Sequence, residues 1–332
     1  MMPPELENAI YGMLATPVLR TAEKHGVFAR LIEGGPAGSE KLAGDLGLDR
    51  DTLERMMLLL TALRVLDLGD AGDFRVPAAV RPYLDRREPL FVGGFLEHLA
   101  EETSARLGRL DGYLKEGRPA EAAAPFGEVY RDEETMRAFM TAMWDLSYGA
   151  STELVTLAGL DGTARLVDVG GATGPFSVAA LRAAPRLRAV VFDLPAIRPL
   201  AEETAHAHGL ADRLEFAGGD FFTDELPAGD CLAFGYILSD WDDETCVELL
   251  AKAHRACTAP GRVLIMDRLF ADDRTGPPAT AAMNLVMHLE MAGRHRTAAE
   301  FAALLERAGF TDCEVRRSGG EKHLIVGHKN RR

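Results

Sequence analysis

Apolar residues recur at three- and four-residue spacing from Ala9 to about Leu160, and from Arg165 onward this period gives way to short apolar runs separated by helical stretches. The first pattern predicts a mostly α unit; the second predicts a parallel sheet with crossover helices. Gly/Pro breaks near Gly34 to Gly38, Gly69 to Gly72 and Gly117 to Pro119 divide the helical half. Within it, Ser39 to Leu48 reads as a short helix ending at Gly47, and Asp51 is placed to cap a second helix running through Leu53, Met56, Leu60 and Leu63. Val65 to Leu68 and Phe74 to Val76 read as two short strands around a Gly-Asp turn, so the order helix, turn, helix, hairpin makes a winged-helix-like pattern. In the second half the expected strands are Leu166 to Val169, Ala189 to Phe192, Leu214 to Ala217, Cys231 to Tyr236, Val263 to Asp267, Asp312 to Arg316 and His323 to His328. Seven strands fit a Rossmann-like, doubly wound α/β sheet whose last two strands, joined through Ser318-Gly-Gly320, form an antiparallel hairpin. The expected domains are 1–160 and 161–332.

Composition narrows the function classes. A chain of 332 residues exceeds what one core usually organises, which agrees with two units. Its 47% hydrophobic and 27% charged shares are ordinary globular values, and no run reaches the roughly 18 apolar residues of a membrane span. Met1 to Ile10 carries acids and two prolines where a leader would be basic and then apolar, so the expected location is cytoplasmic, with no membrane partner. The net charge of −14 repels a phosphate backbone. The second N-terminal helix carries Asp51, Glu54 and Arg55 beside Met56 to Leu60, a surface for packing or dimerisation rather than for nucleic acid. Cys231, Cys246, Cys257 and Cys313 lack C-x-x-C spacing and read as buried thiols, not as a zinc site or a disulfide framework.

Candidate chemistry gathers at three strand ends. Leu166-Val-Asp-Val-Gly-Gly-Ala-Thr-Gly-Pro175 runs from a strand through a glycine turn into a helix, where the backbone can approach a ligand and free N–H groups face it. The next strand ends at Asp193, an acid placed to accept from ribose hydroxyls. The third ends at Gly218-Gly-Asp-Phe-Phe222, where Asp220 can accept from an adenine amino group and Phe221 can stack on the ring. Together these predict a nucleoside-type ligand at the carboxyl edge of the sheet.

Asp-Val-Gly-Gly-Ala-Thr-Gly, Phe-Asp-Leu-Pro, Gly-Asp-Phe-Phe, Ser-Asp-Trp-Asp-Asp-Glu at 239–244 and Gly-Arg-His-Arg-Thr at 293–297, in this order, resemble the caffeate/acetylserotonin O-methyltransferase-like family over essentially the whole chain. The resemblance implies an S-adenosylmethionine-dependent methyltransferase acting on a small molecule. It implies a homodimer built through an N-terminal dimerisation and substrate-capping domain. It also implies that Gly170, Asp193, Leu194, Asp220 and Phe221 hold S-adenosylmethionine, with Trp241 near the adenine.

The chain departs from the family pattern where the base is expected. That motif normally begins His-Asp, and here the histidine is replaced by Ser239, which does not titrate near neutral pH. Asp267 and His295 match the two acidic positions that usually flank the histidine, so one histidine is lost and another gained. Three readings stand. His295 is the base for an oxygen acceptor, oriented by Asp267 or Asp240. Alternatively the acceptor needs no base, being a thioether sulfur, an acidic phenol, an enol or an oxo acid, so that S- or C-methylation replaces O-methylation. In the third, Asp240, Asp267, His288 and His295 hold a metal, which the Gly293 break and the lack of a ligand signature disfavour. A protein that keeps the nucleoside site without methylating is the alternative from another class. The helix from Thr135 to Ala150 sets Met140, Trp144 and Tyr148 on one face, and Asn284, Met287 and His288 follow the fifth strand; these are the expected acceptor contacts. Arg294 or Arg296 is a candidate partner for an acceptor carboxylate, with a solvated surface role as the plainer reading.

Overall fold

The computed structural model describes residues 2–117, 132–291 and 293–330. Two compact units divide between Ala105 and Arg106.

The first unit holds helices α1 (Pro4–Tyr11), α2 (Ala15–Lys24), α3 (Val27–Gly34), α4 (Ser39–Leu46) and α5 (Arg50–Ala62), the strands β1 (Asp67–Leu68) and β2 (Phe74–Arg75), and helices α6 (Arg81–Leu84) and α7 (Gly93–His98). Gly47, in left-handed backbone at φ 66°, ends α4 as expected. The cap of α5 is Asp49 and not Asp51: the Asp49 carboxylate accepts from the Thr52 amide at 2.9 Å, while Asp51 lies inside the helix and pairs with Arg55. β1 and β2 form an antiparallel ribbon, and the unit's core centres on Phe28, Leu42, Met57 and Leu60.

The second unit begins within α8 (Ser104–Leu107) and continues with α9 (Leu110–Glu116) and the long helix α10 (Glu133–Ala158), capped by Asp132 through the Thr135 amide at 2.8 Å. Next come β3 (Arg165–Val169), α11 (Pro175–Ala183), β4 (Arg188–Asp193), α12 (Arg198–Ala207), β5 (Leu214–Gly218) and β6 (Gly229–Gly235). The chain ends with α13 (Asp243–Ala256), β7 (Cys257–Phe270), α14 (Pro278–Glu290), β8 (Arg296–Thr297), α15 (Ala298–Arg307), β9 (Thr311–Arg316) and β10 (Lys322–Lys329). The boundary lies about fifty residues before the change of sequence pattern at 160 because α10, helical like everything before it, buries Leu154, Val155 and Ala158 against this sheet.

The sheet order is β5-β4-β3-β6-β7-β10-β9, parallel from β5 to β7, with β10 antiparallel between β7 and β9 and with β8 attached to the end of β7. All seven expected strands are present. The two-residue β8 has no apolar run to announce it. Alternation along β3 sends Leu166 to the α10/α11 face and Val167 and Val169 to the α13/α15 face, so helices cover both sides and the sheet is doubly wound. Cys231, Cys246 and Cys257 are buried, as their reading predicts, whereas Cys313 is partly exposed on an edge strand. Among the described residues no helix is long and apolar enough to cross a membrane.

Candidate active site

The carboxyl ends of β3, β4 and β5 lie side by side. After β3, Gly170 takes φ 66°, and a Cβ there would fall 2.4 Å from Ile237 Cδ1, so the turn tolerates no side chain at this place. Gly174, at φ 86°, opens α11. Asp193 ends β4 with Oδ2 accepting from the Ala172 amide and Oδ1 from the Leu194 amide, both at 2.7 Å. Each oxygen keeps a further lone pair for a hydroxyl donor. Burial raises the Asp193 pKa, and these two backbone bonds oppose the rise. After β5, Asp220 Oδ1 accepts from the Phe222 amide at 2.8 Å, and the Asp220 amide donates to Asp224 at 2.8 Å, which closes the loop on itself. Phe221, Phe222 and Trp241 pack edge to face, with ring separations of 4.7, 4.8 and 6.4 Å, and the indole Nε1 of Trp241 is enclosed without a partner. A turn with glycine where the backbone must come close, a carboxylate with open lone pairs and an aromatic box with an unspent donor fit a nucleoside carrying a ribose diol and a flat base.

Sequence reasoning missed how that loop is held. The ammonium of Lys252, on α13, donates to the carbonyls of Phe221 at 2.9 Å, Phe222 at 2.6 Å and Asp224 at 3.0 Å. A lysine on an amphipathic helix gives no sign of this in sequence.

The second cluster surrounds His295, which is 4% exposed. Its Nδ1 lies 3.1 Å from Oδ1 of the fully buried Asp267 at the end of β7, and its backbone N–H donates to Asn284 Oδ1 at 2.8 Å. Asp267 Oδ1 also accepts from the Arg268 amide at 2.8 Å. Nε2 of His295 and Oδ2 of Asp267 are buried without partners. With the carboxylate as acceptor, Nδ1 carries the proton and Nε2 the lone pair. Asp240 completes the group: burial first, then the charges of Asp267 and Glu290, raise its pKa well above the usual carboxylate range.

Gly293 explains the register of this loop. A Cβ there would sit 1.9 Å from the Ser239 carbonyl oxygen and 2.5 Å from the Trp241 nitrogen, so the two loops touch backbone to backbone. Arg296, fully buried, joins them. It donates to the carbonyls of Leu238 at 2.7 Å and Trp241 at 2.8 Å and pairs with Asp243. Arg294 binds Glu300 at 2.7 Å and Asp243 at 3.0 Å. Both arginines are therefore committed within the protein, and Arg296 is an interior staple, contrary to a solvated role.

The expected acceptor contacts do not gather in one place. Met140 packs with Ile197, Leu200 and Ala201 beside Ala172 of the glycine turn. Trp144 stacks on Tyr148 at 4.7 Å and on His208 at 5.2 Å, and Arg182 donates to Tyr148 Oη at 2.7 Å. A groove of about 250 Å³ opens beside Trp144 between α10 and α12. Asn284 serves the His295 backbone, Met287 is half-buried on α14, and His288 is exposed. Because α14 stops at Glu290, His288 and His295 do not share a helix, and among the described residues no three His, Cys, Asp or Glu side chains are arranged to hold a metal ion.

Comparison with known proteins supplies the class of chemistry. The model of the O-methyltransferase domain family matches residues 111–311. The chain is 33% identical to a tetracenomycin polyketide synthesis 8-O-methyl transferase of Streptomyces glaucescens, across 98% of this chain and 96% of that protein. It is 32% identical to acetylserotonin O-methyltransferase of Bos taurus, across 98% and 97%, and 30% identical to 3-hydroxy-5-methyl-1-naphthoate 3-O-methyltransferase of Streptomyces sahachiroi, across 98% and 95%. The fold is similar to that of human N-acetylserotonin methyltransferase in complex with S-adenosylmethionine, with a TM-score of 0.89 at 26% identity over 98% of this chain and 97% of that one. The chain belongs to the O-methyltransferase domain family and is an S-adenosylmethionine-dependent methyltransferase acting on a small molecule.

Proposed function

We propose that the acceptor is a hydroxyl on an aromatic scaffold and that His295 removes its proton, with Asp267 as the group that orients the imidazole. The observation that carries this is the buried His295–Asp267 pair at 3.1 Å, with Nε2 left unpaired. A histidine placed only for packing would be expected to spend both ring nitrogens, as buried polar atoms generally do. The names of the Streptomyces relatives, a naphthoate and a polyketide O-methyltransferase, support an aromatic oxygen acceptor. The bound cofactor supplies an electrophilic methyl group on its sulfonium. Asp193 and Asp220 accept from ribose and adenine, Gly170 lets the turn close on the ligand, Leu194 and Trp241 flank it, and Phe221 offers a ring face to the base. Asp267 then stabilises the positive charge that the imidazole acquires with the proton, and burial and the charges of Asp267 and Glu290 shift the neighbouring Asp240 toward its neutral form.

Replacement of His295 by glutamine tests the reading. A general base is worth roughly 10²- to 10⁴-fold, so kcat toward a naphthol or phenol acceptor falls in that range at pH 7 while the Kd of S-adenosylmethionine stays within twofold. Activity of the variant then climbs as pH approaches the acceptor's own ionisation, near 10 for a phenol. An undiminished kcat at pH 7 removes His295 from the chemistry.

The first unit is read as the dimerisation and capping domain of a homodimer with a winged-helix-like core, and the enzyme as cytoplasmic. Support for the dimer comes from α1 and the turn after it, where Leu6, Ile10, Tyr11, Met13 and Leu14 are all exposed. Residues Met140, Met287 and Asn284 remain the acceptor contacts favoured by position. Trp144 and Tyr148, engaged with His208 and Arg182, act through α10.

A further inference from the structure

Among the described residues, the largest of the fully buried side chains is a charged one, Arg296. Its Nη1 donates to the carbonyls of Leu238 at 2.7 Å and Arg294 at 3.2 Å, its Nη2 to the Trp241 carbonyl at 2.8 Å, and its Nε to Asp243 Oδ1 at 2.9 Å, above the ring of Phe301. The thiol of Cys246 donates to the same Leu238 carbonyl at 3.2 Å, and burial pushes its pKa up to about 12, so it stays a donor. Taking an ion out of water is costly, and an apolar side chain of similar volume usually serves stability as well. The best-attested use of a buried polar group is to fix a register.

The register at stake is that of β8. This strand has two residues, and it lies parallel to the end of β7 through the pairs Leu269 with Arg296 and Phe270 with Thr297, off the main order of the sheet. Two pairs hold a register weakly, and a slip of one residue turns each side chain to the opposite face. His295 immediately precedes β8, so a slip takes its imidazole away from Asp267, which lies two residues before Leu269 on β7. Alternation sends His295 toward Asp267 and Arg296 toward the loop after β6 and the start of α13. The guanidinium is a rigid planar fork, and it meets two carbonyls of one loop, one of the other and a carboxylate together in a single register. Gly293, whose Cβ would sit 1.9 Å from the Ser239 carbonyl oxygen, brings the same two loops into contact.

We propose that Arg296 is a positioning residue for methyl transfer: by locking β8 to the loop after β6 it keeps the His295 imidazole on Asp267, in one rigid piece with Asp240 and the Trp241 wall of the aromatic box. Its kinetic consequence rests on the reading of His295 as the base, whereas the hold on the imidazole is independent of that reading.

Nitrogen NMR of the full chain carrying isotope-labelled histidine, with His295→Gln to assign the signal, reads that hold directly. Wild type is expected to show His295 as the single tautomer with its proton on Nδ1. Arg296→Lys keeps the charge and loses the fork, so the two tautomers mix. Its kcat toward a naphthol falls about 10²-fold, the effect of displacing a reacting group by about 1 Å, while the Kd of S-adenosylhomocysteine stays within about threefold. In the His295→Gln background the same substitution changes kcat by less than about twofold, because the group it positions is gone. Asp243→Asn removes a partly exposed partner of Arg296 and leaves the carbonyl bonds, so it produces both effects in lesser degree and serves where Arg296→Lys does not fold. A single Nδ1–H tautomer in folded Arg296→Lys, or in Asp243→Asn where the former does not fold, overturns the assignment, as does an equal loss of kcat in both backgrounds. If His295→Gln leaves kcat intact, His295 is not the base, and the tautomer alone decides the role of Arg296.

Discussion

Asp168 lies beneath the glycine turn, on the face of β3 that alternation gives to α11, and is 2% exposed. Ser177 of α11 donates to its Oδ2 at 2.7 Å, and a Cβ at Gly171 would meet its Cγ at 2.7 Å, so the carboxyl is sealed between turn and helix. Burial raises its pKa from 3.8 to about 6, with the Ser177 bonds opposing. The folded form therefore holds its proton more tightly than the unfolded chain. This contribution to stability is whole below about pH 4 and is lost as pH rises through 6. At about 1.4 kcal/mol for each pH unit of that window, the loss reaches roughly 3 kcal/mol. Asp168→Asn has the same shape and never ionises. Its stability relative to wild type, read from urea midpoints, is expected to improve by up to that amount between pH 4.5 and pH 7.5, and a difference that does not change with pH contradicts the argument. At this scale sequence showed residue types but not their surroundings. His295 and Asp267 were recognisable because each stands where a family acid is usual. By contrast, Gly293 needs the Ser239 carbonyl beside it, and Arg296 needs the Leu238 and Trp241 carbonyls from a loop far back along the chain, before either acquires a meaning.

Elements carry the site by what ties their ends together. The loop after β5 presents Asp220, Phe221 and Phe222, and α13 grips it through the three carbonyls that Lys252 holds. Lys252→Met removes those bonds and leaves the apolar stem, so the loop loosens while α13 persists. The Kd of S-adenosylmethionine is expected to rise about tenfold, the energy of one or two hydrogen bonds, with a smaller rise for Lys252→Arg. Equal affinity in wild type and Lys252→Met, by calorimetry, shows that the loop holds itself through Asp220 and Asp224 alone. Strands were the most legible elements because a sheet buried on both faces demands apolar runs, and each expected strand lies within or closely overlaps an observed one. Helix limits were less so. Asp49 and Asp51 have equal capping chemistry, and the choice falls to the residue whose backbone is extended, at φ −66° and ψ 122°, before the helix begins. The extent of the first unit was hidden for a similar reason: α10 has the helical period of its predecessors, and only its packing assigns it to the sheet.

For the molecule as a whole, the unexplained surface is the N-terminal helix. α1 has eight residues and none is buried, although an isolated helix of that length is unstable in water. Leu6 and Ile10 share a face at four-residue spacing, and Met13, 74% exposed, continues the apolar surface. A second copy covering this face would repay the ordering of α1, as the homodimer reading requires, against the repulsion of two chains that each carry −14. That opposition fixes the sign of the salt dependence: screening of the like charges strengthens the dimer as ionic strength rises from 0.01 to about 0.15 M, where the Debye length shortens from about 30 to about 8 Å. Light scattering behind size exclusion is expected to give twice the chain mass of 36.0 kDa for wild type at micromolar concentration. The double substitution Ile10→Glu/Met13→Glu, which adds charge to the apolar face and touches no part of the second unit's core, is expected to give the single-chain mass. If wild type already runs at 36.0 kDa, or if the double variant keeps the dimeric mass, α1 is not the element that joins the copies.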